Sequence, residues 1–119
     1  MESKSFDIAK RLLGKKIQIT IDRKLGSKHP KWSFTYPVNY GYLKDIKSAD
    51  GEGLDAYLLG VTTPVDKYEG FVIAIVHRFE DDDDKLVVVP EGLVLTDKEI
   101  EENVYFQEKW FNHIIVKTI

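Results

Sequence analysis

The chain has 119 residues, 43% of them hydrophobic and 31% charged, which is the makeup of one globular domain built on a single core. Its formal net charge of −3 supplies no basic field for nucleic acid, and no apolar run approaches the roughly 18 residues that span a bilayer. With no cysteine in the chain, disulfides, thiolate catalysis and cysteine-based zinc sites are excluded.

One domain over residues 1–119 is therefore expected. The opening Met-Glu-Ser-Lys lacks the apolar stretch of a secretory signal, so a cytoplasmic location is the expectation. Charge is unevenly spread: Lys and Arg crowd the stretch from Lys10 to Lys31, and acids dominate from Asp45 onward. Such a split suits a polyanion held together with its metal ions, and equally suits simple charge balance. Asp81-Asp-Asp-Asp-Lys85 and Glu102-Asn-Val-Tyr-Phe-Gln107 resemble protease recognition sites, but both run into periodic apolar sequence and read as native.

In chain order, Ser5 is placed to cap a short helix with Phe6, Ile8, Leu12 and Leu13 on one side and Gly14 at its end. Residues 17–21 alternate apolar and polar, the mark of a half-buried strand, and Asp22 and Arg23 stand at its exit. Residues 24–31 form a basic loop carrying Lys28, His29 and Lys31. Residues 32–36 read as a second strand stopped by Pro37, residues 56–61 as a short apolar strand, and residues 62–70 as a loop. The unbroken apolar run 71–77 predicts a fully buried strand, and 85–90 returns as its hairpin partner after an acidic turn. Thr96 and Glu99 form a capping box for a helix running to about His113, with Ile100, Val104, Gln107 and Phe111 along one face. Residues 114–116 fit either a helix tail or a closing strand. The expected class is α+β, a small mixed β-barrel with a C-terminal helix packed on it.

Two acidic clusters carry the chemistry. Asp50-Gly-Glu52-Gly-Leu-Asp55 places three carboxylates within six residues, and Glu80 to Asp84 are five acids in succession ahead of Lys85. Carboxylates this close repel unless cations hold them, and their hard oxygens suit Mg²⁺ or Mn²⁺. An acidic turn of either kind is more often only a solvated loop. If the two clusters face each other they form a pocket for a two-metal hydrolytic site. Arg23, Lys28, Lys31 and Lys85 are the cations available to neutralise phosphate oxygens, and the Tyr40 hydroxyl is a further donor. There is no GxxxxGK[ST] loop, no GxGxxG and no GxSxG elbow. The Asp50 region fails the EF-hand spacing, because Ile46 and Tyr57 fall where the first and last ligands belong. His29, His77 and His113 lack metal-ligand spacing.

At these residues the chain resembles the family I soluble inorganic pyrophosphatases. Tyr36-Pro-Val-Asn-Tyr40-Gly-Tyr matches that family's YPxNYGY/F segment. Asp50-Gly-Glu52-Gly-Leu-Asp55 matches its DGDPLD signature with Glu for the middle Asp, and Asp83-Asp-Lys85-Leu-Val-Val-Val-Pro90 matches its DxKLVAVP segment. The resemblance covers roughly Ile21 to Pro90, and implies a five-stranded OB-like barrel and Mg²⁺-dependent hydrolysis of pyrophosphate to two phosphates. It implies that Asp50, Asp55 and Asp83 are metal ligands, with Glu80 or Asp81 in the place of a further one. It also implies that Glu52 or Asp55 takes the proton of the attacking water, assisted by Tyr40, and that Arg23 and Lys85 contact substrate. Lys28 and Lys31 are candidates to replace a lysine that the family carries on N-terminal strands reduced or rearranged in this chain. Near the C-terminus, Trp110-Phe111 stands where the family has a Tyr-Lys pair on phosphate.

The sequence thus points to an inorganic pyrophosphatase. The alternatives are a hydrolase of another small diphosphate, or a non-catalytic OB-like module that binds a phosphorylated ligand or a protein partner. Neither nucleic acid nor a membrane is expected as a partner, and Tyr105, Phe106, Trp110 and Phe111 leave room for a homo-oligomer.

Overall fold

The computed structural model describes residues 4–47, 53–80 and 83–117. Among them run α1 (Lys4–Leu12), β1 (Lys16–Arg23), β2 (Asn39–Lys47), β3 (Gly53–Leu58), β4 (Lys67–Arg78), β5 (Lys85–Val89), α2 (Asp97–Glu108) and β6 (His113–Val116). The strands hydrogen-bond in the order β1-β2-β3-β5-β4-β6, and β1 also pairs with β4. That last pairing closes β1 to β5 into a five-stranded mixed barrel, with β3 and β5 parallel and the other pairs antiparallel. Among the described residues, no helix is long and apolar enough to cross a membrane.

Strand alternation divides the core in two. Ile19, Ile21, Leu54, Ala56, Leu58, Ile75, Leu86 and Val88 point into the barrel, and Ala9 of α1 packs against them with Phe6, Ile8, Leu12 and Leu13. The intervening side chains Tyr57, Leu59, Val87 and Val89 lie on the outer face, under Ile100 and Val104 of α2. All five residues of β5 are buried, because both its faces are covered. Asp55 and Lys85 share the alternation of Tyr57 and Val87, so they belong to the outer face.

Register shifts in β1 and β4 and one glycine steer the strands toward the site. In β1 the register shifts between Ile21 and Arg23, which sets Arg23 opposite Tyr40. In β4 it shifts between Val72 and Ala74, so that Val72 and Ile75 face inward while Ala74 and Val76 face α2. Arg78, two residues past Val76, follows them to the outer face. Gly41 lets β2 cross β1 closely: a Cβ there would sit 1.9 Å from the Thr20 carbonyl oxygen.

Several expected boundaries move. Residues 32–36 form a loop with one bridge, Lys28 to Thr35, instead of a strand. Their backbone bonds return to the basic loop, with Tyr36 N–H donating to the Ser27 carbonyl and His29 N–H to the Phe34 carbonyl. Ser5 lies inside α1, fully buried, and its hydroxyl accepts the Asp84 N–H at 3.1 Å. The capping box forms as expected, but α2 ends at Glu108, and residues 113–116 become a strand paired with the end of β4. Phe111 consequently leaves the helix face.

Candidate active site

A cleft of about 610 Å³ opens on the outer face, bounded by the ends of β1, β2, β3 and β5, by the 29–36 loop and by the chain following α2. Asp55, Asp83, Lys85, Tyr40 and Arg23 all line it. At its floor the Lys85 ammonium donates at 2.8 Å to Asp55 Oδ2 and at 2.8 Å to Asp83 Oδ1. Lys85 is buried while Asp55 and Asp83 stay partly open to the cleft, so the ammonium is held between two carboxylates that water still reaches. The Tyr40 hydroxyl donates to the same Oδ2 of Asp55 at 2.8 Å. Burial, then the Asp55 charge and hydrogen bond, push the Tyr40 phenol well above its ordinary range, so it remains a neutral donor.

The second acidic cluster therefore meets the first through Asp83 and Asp55. Asp50, Glu52 and Asp81 lie outside the described residues. Glu80 does not line the cleft: it accepts from the Asn112 side chain and borders a smaller cavity of about 300 Å³ that shares Arg78, Trp110 and Phe111 with it. Lys28 and Lys31 are exposed on the basic loop and do not line the cleft. Arg23 donates to the Asp22 carbonyl at 3.3 Å and, among the described residues, makes no ion pair with a carboxylate.

Two residues of the site escaped the sequence. Arg78 reaches across to α2, its Nε donating to Glu108 Oε1 at 2.9 Å and its Nη2 to Oε2 at 2.8 Å, while Nη1 lies 3.4 Å from Asp83 Oδ2. Glu108 has no exposure to water and also accepts the Tyr57 hydroxyl at 2.6 Å; Tyr57 in turn accepts from Gln107 at 2.8 Å. Burial opposes the Arg78 charge, but the bonds and charge of Glu108 outweigh it and raise its pKa. The guanidinium also stacks 3.7 Å from the Phe111 ring centroid. The only hint in the sequence was an arginine closing a buried strand, which demands a buried acid somewhere along the chain.

Among the described residues, no group of three His, Asp or Glu side chains is arranged to hold a metal ion. Two carboxylates already converging on one cation nevertheless suit Mg²⁺, which usually takes one or two protein carboxylates and completes its shell with water and substrate phosphate. The donor set present fits such an ion.

A closed five-stranded mixed barrel with a helix on its outer face is the OB-like fold of the pyrophosphatases. Solved structures with this fold include an inorganic pyrophosphatase from Ehrlichia chaffeensis at a TM-score of 0.69 and 16% identity, covering 89% of this chain and 88% of that one. One from Neisseria gonorrhoeae has a TM-score of 0.61 and 22% identity, covering 77% and 71%. One from Helicobacter pylori has a TM-score of 0.64 and 14% identity, covering 87% and 82%. Identities this low carry the fold alone. No protein-family model and no curated protein matches the chain.

Proposed function

We propose that this chain hydrolyses inorganic pyrophosphate to two phosphates with the help of a divalent cation. The observation that carries the reading is the Lys85 ammonium bound at once to Asp55 and Asp83, one from each acidic cluster, in a cleft with an arginine that has no described carboxylate partner. The pyrophosphatase fold of the neighbouring structures supports it.

In this reading Arg23 and Lys85 draw on phosphate oxygens and stabilise charge that builds as the bridging bond breaks. The oxygen of a water bonds to one phosphorus while the P–O bond to the departing phosphate cleaves. Asp55 takes the proton, with Glu52 as the other acceptor. Both described bonds to Asp55 fall on Oδ2, so Oδ1 is the atom assigned to the water. Tyr40 fixes that carboxylate's orientation. Asp55 and Asp83, with Asp50 and Asp81 beside them in sequence, are the proposed holders of Mg²⁺, for which Mn²⁺ would substitute. Such a cation would supply charge neutralisation for the diphosphate and acidity for a water.

Phosphate release from pyrophosphate in Mg²⁺ tests the reading. Wild type is expected to turn over, and Asp55→Asn to be slower by about 10²–10⁴-fold, the usual weight of a general base. If pyrophosphate raises the melting temperature without being cleaved, the chain is a binding module instead.

A further inference from the structure

We propose that the cleft takes a diphosphate joined to a planar ring, of the nucleoside diphosphate class, in preference to bare pyrophosphate. The inference rests on the reading of Arg23 and Lys85 as the diphosphate pole, and extends it to the aromatic part of the same lining.

His29, Trp32 and Phe34 approach from the 29–36 loop, and Trp110 and Phe111 from the chain following α2. At about 610 Å³ the cleft has the size of sites that enclose organic ligands, roughly 300–1,000 Å³, and a bare diphosphate would fill a small part of it.

The rings are not equivalent. Phe34 and Tyr36 pack on each other at 5.5 Å and on Phe106 of α2 at 5.6 Å each, so they are spent on holding the loop to the helix. Trp32 and Trp110 are 64% and 69% exposed, although both border the cleft. Trp32 has His29 as its only described ring neighbour, 6.3 Å away and tilted, and Trp110 has only the Lys109 ammonium at 5.0 Å. Each keeps most of its ring surface unused.

Trp32 is also held in place. His29 Nδ1 accepts the backbone N–H groups of Lys31 at 3.0 Å and Trp32 at 3.1 Å, which fixes the turn that presents the indole. A positioned, solvent-facing indole in the same cleft as a phosphate-binding pole is an arrangement that can stack a base. A cationic pole for the diphosphate and two indole faces for the ring match a ligand that carries both groups.

The chain has only these two tryptophans, so intrinsic fluorescence reports on that lining directly. ADP, pyrophosphate and adenosine are titrated into the full chain in Mg²⁺, with affinities checked by calorimetry. ADP is expected to quench the fluorescence and to bind about tenfold tighter than either pyrophosphate or adenosine, in line with the usual weight of one stacked base. Trp32→Ala and Trp110→Ala are each expected to cost ADP about tenfold more affinity than they cost pyrophosphate. Trp32→Leu, apolar but without a ring, is expected to match Trp32→Ala. ADP binding no tighter than pyrophosphate, or variants that weaken both ligands equally, would overturn the proposal. Phosphate release from pyrophosphate by the same preparation separates the two claims: release without a preference for ADP sinks the ring site alone. A Trp-dependent preference for ADP without release supports the ring site and sinks the hydrolase.

Discussion

Glu108 holds the rear wall of the cleft, because a carboxylate with no contact with water depends on every partner it has. Arg78 supplies two of its hydrogen bonds and its counter-charge. Arg78→Met is therefore expected to destabilise the fold by about 3–5 kcal/mol, the cost of stranding a buried charge. Adding Glu108→Leu is expected to recover much of that loss in urea melts; no recovery would mean that Arg78 acts elsewhere. Neither residue's role could be read in advance. They lie thirty positions apart, and a helix drawn to His113 gave no reason to single out Glu108. Asp55, Asp83, Lys85 and Tyr40 were legible for the opposite reason, since short motifs carry them. Their meeting through one ammonium needed the parallel pairing of β3 with β5, which no local pattern announces.

Among the barrel strands β1 announced itself by alternation, β3, β4 and β5 as apolar runs, and α2 by its capping box, while β2 (Asn39–Lys47) went unread because it follows a turn-rich aromatic stretch. Residues 32–36 alternate as a strand would, yet Phe34 and Tyr36 are committed to Phe106 and Trp32 to the cleft. Their backbone satisfies itself within the loop. The register shifts that aim Arg23 and Arg78 leave no mark in composition. Gly41 is the clearest element-level constraint: Gly41→Ala drives a Cβ into the backbone of β1, and a loss of about 1–3 kcal/mol or more is expected by urea denaturation. An unchanged midpoint would show that β1 and β2 can separate there at no cost. The last strand is tied to α2 through His113, whose Nε2 lies 2.9 Å from Glu101 Oε1. Burial lowers the His113 pKa, but the Phe111 carbonyl and Glu101 outweigh it, and the net shift is upward. The raised pKa makes its contribution complete below the ordinary value of 6.5 and lost as pH climbs through the folded-state value. The melting temperature of wild type should exceed that of His113→Gln most on the acid side, and the gap should narrow as pH rises. A gap that widens with pH would contradict this pairing.

At the level of the molecule, α1 packs against the barrel's inner core while α2 covers the outer face, and the cleft continues the surface that α2 leaves open. The charge split along the chain takes physical form there, where Arg23 from the basic third shares a cleft with Asp55 and Asp83. The mixed barrel itself was legible; its closure through β1 and β4 was not, because it depends on a pairing between distant segments, and of the two readings left open for residues 114–116 the closing strand is the one that forms. The barrel is shared with pyrophosphatases at 14–22% identity, which carries the fold alone, so the proposed activity rests on the cleft and not on kinship. The direct measurement is phosphate release from pyrophosphate by the purified chain in Mg²⁺, beside Asp55→Asn. Steady release by wild type, falling about 10²–10⁴-fold in the variant, is the expected result. No release by wild type in Mg²⁺, Mn²⁺ or other divalent ions, from a chain that melts cooperatively, would contradict it.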